Sequence, residues 1–317
     1  MTSLAIAAPA ARADSAGAGL PGTAKRLAPA ALGAVITLVM TASLAHTLAG
    51  SGLAGLRRAI PANGFYYLAF ALLYLAPLAG DFIIFRRLWN LPAAGFPVLV
   101  RKRIANEVVL GYSGDAYFYA WARQHKELAE APFGAVKDVM ILSAVAGNAM
   151  TLAMIGLALP SALRLLDAGQ LRGVELSIVI VLAMTVPFLI FAKRVFSLPL
   201  PQLRWIFAVH GVRIAAGALL IALAWQFALP GIGLGTWLIL AAARMMASRL
   251  PLPNKDLLFA NIAAALIGQS TALSGVVAFT AALTLAVHVA LILGFAIEAL
   301  LRRGALRRPA ARRPLLS

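Results

Sequence analysis

Apolar residues run almost unbroken over lengths that no soluble core requires, and short basic clusters separate the runs. Six of them are long enough to cross a bilayer: 27–50, 64–85, 136–160, 174–192, 205–229 and 274–301. An α-helix rises about 1.5 Å per residue and the hydrocarbon core is about 30 Å thick, so each run covers it with little to spare. Two shorter runs, 233–248 and 257–272, bring the expected count to seven or eight spans. The second is short enough to enter the membrane and turn back, packed against protein. The pattern predicts an all-α fold, a polytopic membrane helical bundle spanning 27–301 with one or two re-entrant or interfacial segments. A disordered tail over 1–26 and a basic tail over 302–317 flank it.

Two segments break this pattern. Residues 91–133 hold Arg101, Lys102, Arg103, Asn106, Glu107, Gly111, Ser113, Gly114 and Asp115, followed by Tyr117, Phe118, Tyr119 and Trp121. That mixture is too polar to cross alone and too apolar for a plain loop. It predicts either an interfacial helix on the cytoplasmic surface or a pair of re-entrant helices hinged at 111–114. The second segment, 244–269, centres on Leu250, Pro251, Leu252, Pro253, Asn254, Lys255 and Asp256. Two prolines end one helix, and Asp256 is placed to cap a new one beginning at Leu257. The whole stretch 250–273 therefore reads as a broken or re-entrant helix. Within it Asn261 and Gln269 are costly against lipid and are expected to face the bundle interior.

Composition agrees with a membrane protein: 62% of residues are hydrophobic and 12% charged, against about 25% charged in soluble domains. The net charge of +17 would suit nucleic acid, but the Lys and Arg residues cluster at helix ends rather than along one face. No nucleic-acid partner is expected. With the amino terminus inside, Arg57, Arg58, Arg164 and Arg172 face out and Arg213 lies within a span. The remaining 23 of 28 basic residues then fall on or near the cytoplasmic side. Both termini are therefore expected in the cytoplasm of a cell that carries this protein in its inner membrane. There is no cysteine, and His46, His125, His210 and His288 are scattered, so no metal site and no cofactor are expected. His288, alone on an apolar helix, is expected to be hydrogen-bonded in the core.

The two unusual segments resemble the membrane domain of the lysylphosphatidylglycerol synthase and flippase-like family. In that family a pattern of Asn, apolar residues, often Pro, then Gly-Glu follows an early span. Its counterpart here runs from Asn106 and Glu107 through Gly111 to Gly114 and Asp115, with Asp115 where Glu is usual and Gly111 where Pro is usual. The family's late segment, Pro-x-Pro followed by glycines and a Glu, is matched by Pro251 and Pro253. Asn254 and Lys255 stand in place of glycines, and Asn261 stands near the Glu position. The resemblance implies lipid translocation or presentation. The family's soluble aminoacyl-transferring domain has no counterpart, since only a short basic tail follows Leu301.

Arg213 falls mid-span, where an arginine costs about 2.5 to 3.5 kcal/mol on insertion scales and requires a partner. Asp81 and Glu298 are available for an ion pair. Equally, a guanidinium offers a phosphate head group two parallel hydrogen bonds. The candidate lipid-binding residues are Asn106, Glu107, Asp115, Arg213, Arg244 and Asn261, with membrane lipids bearing anionic head groups, or isoprenoid lipids, as partners. Two alternatives stand beside flippase-like lipid handling. One is a lipid-modifying transferase with Glu107 or Asp115 as general base, weakened by the lack of a paired-carboxylate motif. The other is a non-catalytic scaffold of an envelope-lipid pathway. The oligomeric state is left open.

Overall fold

The computed structural model describes residues 35, 37–42, 60–109, 111–125, 132–165, 167–250, 252–267 and 272–306. The expected tail over 1–26, most of the first expected span and the chain beyond 306 lie outside these residues. Every regular element among the described residues is helical.

The first long helix, α1 (Gly64–Trp89), starts where the Asn63 side chain accepts from the Phe65 amide at 2.9 Å. It stops at Asn90, which takes a left-handed conformation (φ 53°) that Asn tolerates better than most residues. The helix thus runs past the expected end at 85 and places Arg86 and Arg87 in its last turn, where a cation suits the helix dipole. A single 3₁₀ turn, Ala93–Gly95, leads into α2 (Phe96–Val108), whose second residue is a proline. A turn follows with Tyr112 at φ 71°, and then α3 (Ser113–Gln124). The polar segment is therefore two short helices joined by a turn at 109–112.

Long helices follow: α4 (Pro132–Leu165), α5 (Ala168–Ile190), the single turn α6 (Ala192–Val195) and α7 (Leu200–Ala228). After them come two short ones, α8 (Leu234–Ala247) and α9 (Lys255–Ile267), then α10 (Ala272–Leu306). The last helix extends past 301, to Leu306. Between α8 and α9 the chain turns at Asn254, in the left-handed region at φ 46°. The amides of Leu257 and Leu258 both donate to the Asn254 carbonyl. The new helix thus begins two residues before Leu257, and Asp256 sits inside its first turn rather than capping it.

Among the described residues, five helices are long and apolar enough to cross a membrane: Gly64–Trp89, Pro132–Pro160, Leu171–Phe188, Leu200–Ala228 and Ala272–Leu301. The protein is a multi-pass helical membrane protein on this length and composition. By contrast α8 and α9, with 14 and 13 residues, extend only about 21 and 20 Å, too little to cross alone.

Two apolar clusters hold the bundle together. One joins the start of α1, the end of α7, α8, α9 and the start of α10, around Tyr66, Trp225, Trp237, Leu257 and Val277. The other joins the end of α1, α2, α3 and the starts of α4 and α7, around Phe85, Leu99, Phe118, Val139 and Ile206. A third, smaller cluster packs α8 on α4 through Met154, Ile155 and Ala241. Between the first two, the middles of the long helices meet the ends of the short ones, and the polar side chains collect there. Helix α5 stands at the edge, with Leu176, Val179 and Ile180 exposed. A hydrogen bond from the Asn148 amide to Thr185 Oγ1, 2.8 Å long, ties it to α4.

Candidate anion-binding cavity

A cavity of about 350 Å³ lies at this junction, lined by residues from all the helices named except α3's far end, α6 and α9's far end. Its floor is a buried ionic triad. Lys102 Nζ lies 2.7 Å from Asp81 Oδ2 and 3.0 Å from Asp115 Oδ1, with only 6% of the lysine side chain exposed. Asp115 is fixed in turn by the Asn106 side-chain amide, which donates to its Oδ2 at 2.9 Å. The same Asn106 accepts from the Gly114 amide at 2.7 Å, and Ser113 Oγ donates to the Ala105 carbonyl at 2.7 Å. These bonds cross the 109–112 turn and clamp α2 to α3. Gly114 makes the clamp possible. A Cβ there would lie 2.7 Å from the Lys102 carbonyl carbon, and closer still to its oxygen.

Spacing on α2 sorts its charges by face. Lys102 and Asn106, and likewise Arg103 and Glu107, are four apart and line the cavity. Arg101 points away, over the Phe295 ring and toward Glu298 at 3.4 Å. Arg103 lies over the Tyr74 ring at 4.4 Å. Among the described residues neither its buried Nε nor the Tyr74 hydroxyl has a partner in hydrogen-bond geometry.

Arg213, near the middle of α7, donates from Nε to His210 Nδ1 at 2.8 Å and from Nη2 to Ser143 Oγ at 2.6 Å. His210 Nε2 lies 3.2 Å from the Val139 carbonyl. A neutral ring protonated at Nε2 satisfies both contacts. The stem of Arg213 rests on Gly80, where a Cβ would intrude on it. Neither acid named as a possible partner pairs with it directly: Asp81 is taken by Lys102 and Glu298 approaches Arg101. Among the described residues no carboxylate lies within 4 Å of the Arg213 guanidinium.

The tip of the α8–α9 hairpin completes the cavity. Arg244 pairs with Asp256 at 2.8 Å across the tip, and Thr284 of α10 donates to the other Asp256 oxygen at 3.3 Å. Arg249 bonds to Ser248 Oγ and the Met245 carbonyl, and its guanidinium rests against Gly147, midway along α4. The Asn254 amide donates to the Glu107 carbonyl at 2.5 Å. The two segments that broke the apolar pattern thus touch, tip to tip.

Of the sequence-derived candidates, Asn106, Glu107, Asp115, Arg213 and Arg244 line this one cavity. Asn261 does not. Its amide donates to the carbonyls of Leu257 and Met40, on the side of α9 away from the cavity. His288 is also unlike its expectation: it is 1% exposed, yet among the described residues neither ring nitrogen has a hydrogen-bond partner. It packs against Tyr74 with ring centroids 5.5 Å apart. Asp138 is fully buried and accepts from the Ser197 and Leu198 amides at 2.7 Å, bracing the turn before α7. Sequence reading missed Lys102, Arg103 and Arg249 as cavity residues. The i, i+4 pairs on α2 were the available signal for the first two. No family model, curated protein or solved structure matches the chain.

Proposed function

We propose that this cavity receives the anionic head group of a membrane lipid, and that the protein handles or translocates that lipid. One observation carries the reading: Arg103, Arg213 and Arg249 line a single cavity midway along the long helices, and among the described residues none has a carboxylate within 4 Å. Charge at that depth is expensive unless compensated, and an anionic head group supplies the compensation. Broken helices meeting at the midplane are the means by which transporters present polar groups to a substrate. In this reading α2–α3 and α8–α9 are opposed re-entrant hairpins entering from the two faces. The likeness to the flippase-like family points the same way. A general-base role for Asp115 is disfavoured, because its two oxygens are held by Lys102 and Asn106.

The test is the lipid content of the detergent-purified protein. Wild type is expected to retain an acidic lipid above its proportion in the membrane. Arg213→Gln is expected to lose that excess while still melting cooperatively. Retained lipids in bulk proportion, unchanged in Arg213→Gln, would overturn the proposal. The cytoplasmic placement of both termini belongs to the same reading. A cysteine introduced at Ser317 of this cysteine-free chain should be shielded from an impermeant thiol reagent in intact cells, and labelling before lysis reverses the orientation.

A further inference from the structure

The charges lining the cavity divide into compensated and uncompensated groups. The triad of Lys102 with Asp81 and Asp115 carries one net negative charge, and the Arg244–Asp256 pair is neutral. Glu107 adds a second negative charge. Against these stand Arg103, Arg213, Arg249 and Lys255, four positive charges without an acid within 4 Å among the described residues. Four positive against two negative leaves the empty cavity with a net charge of two positive. Arg213 is attracted by Asp81 and Asp115, neither of them within 4 Å, and lies close enough to both Arg103 and Arg249 for mutual repulsion.

From this balance we infer that the ligand is a phosphoryl dianion, the head group of a phosphate monoester, rather than the singly charged diester of an ordinary phospholipid. The inference rests on the head-group reading above and narrows it. Geometry agrees with charge. The three guanidiniums come from three separate places, α2, α7 and the turn after α8. A phosphate monoester presents three terminal oxygens, whereas a diester presents two. A monoester thus offers one oxygen to each guanidinium, whereas in a diester three guanidiniums share two oxygens and a single charge. An arginine left unpaired at membrane depth is the costly state that the second ligand charge removes.

The experiment compares dodecyl phosphate, its methyl ester and inorganic phosphate as ligands of the detergent-purified protein, by displacement of its retained lipid and by thermal shift at pH 8. At that pH the monoester carries nearly two charges, since its second ionisation lies near pH 6, and the methyl ester carries one. Dodecyl phosphate is expected to bind at least about tenfold more tightly than its methyl ester, the difference one lost hydrogen bond to a charged group makes. Gly147→Ala, which displaces the Arg249 guanidinium without touching backbone, is expected to shrink that preference at little cost in melting temperature. Equal binding of ester and monoester, with both lost in Arg213→Gln, would leave the head-group site standing and overturn the dianion. Binding of inorganic phosphate as tight as that of dodecyl phosphate would keep the dianion and overturn the lipid. No displacement by any of the three would overturn both.

Discussion

Replacing Gly114 by alanine tests whether the α2–α3 clamp is as tight as its hydrogen bonds imply. The new methyl group would lie 2.7 Å from the Lys102 carbonyl carbon and 2.9 Å from Asn106 Oδ1, whereas non-bonded carbon contacts are comfortable from about 3.5 Å. The obstacle is backbone on one side, so no rotamer change relieves it. The helices must part by about 1 Å, enough to break the bond from the Gly114 amide to Asn106 and to misalign Asn106 against Asp115. Those two bonds contribute about 1 kcal/mol for the neutral one and about 1.5 to 3 kcal/mol for the one to a carboxylate. Gly114→Ala should therefore cost about 3 kcal/mol. Cooperative unfolding in a mild detergent measures this, with Gly156→Ala on α4 as the control. A Cβ at Gly156 meets nothing within 4 Å, so that change should be neutral or stabilising by up to about 1 kcal/mol. Because Asp115 anchors Lys102, Gly114→Ala should also reduce retained acidic lipid. If Gly114→Ala proves as stable as Gly156→Ala, the close approach of α2 and α3 is wrong and the floor of the cavity with it.

Two further outcomes follow from buried groups. Lys102→Met removes the cation between Asp81 and Asp115 and should cost about 3 to 5 kcal/mol, the penalty of stranding a buried charge; Asp81→Asn in the same chain should restore part of it, and a cost below about 1 kcal/mol in Lys102→Met would refute the triad. His288→Leu should raise stability by about 1 kcal/mol, because two buried, unpartnered ring nitrogens are replaced by an apolar side chain of similar size. Loss of stability in that variant would mean the ring makes bonds that its protein neighbours do not supply.

The helices were legible because lipid removes ambiguity: a run of twenty apolar residues has few other fates, and their order and rough ends follow from that alone. Their ends were displaced by local chemistry. Asn90 sets the end of α1 beyond the apolar run, and Asn254 starts α9 early. The hinge at 111–114 was visible as glycines among polar residues. What it touches was not, since contact between Glu107 and Asn254 joins positions far apart in the chain. Gly147 was open to a misreading. A glycine four residues before a threonine suggests close helix packing, yet Thr151 merely donates back to the Gly147 carbonyl at 2.8 Å. The space above Gly147 is filled by Arg249.

That exchange of a side chain for a guanidinium explains how so much charge is held inside an apolar bundle. Arg213 lays its stem on Gly80 and Arg249 lays its guanidinium on Gly147, so both side chains lie against bare helix backbone. Were either glycine larger, the arginine would have to shift and its guanidinium would leave its place. The arginines are thus held by shape rather than by acids. A carboxylate that locked Arg213 or Arg249 in place would also cancel its charge. Glycine positions the cation and leaves its charge unpaired, as the proposed head-group site requires. By the same logic three of the four acids lining this cavity are spent elsewhere: Asp81 and Asp115 on Lys102, and Asp256 on Arg244. Fixed pairs hold the hairpins together, and uncompensated arginines face the space between them.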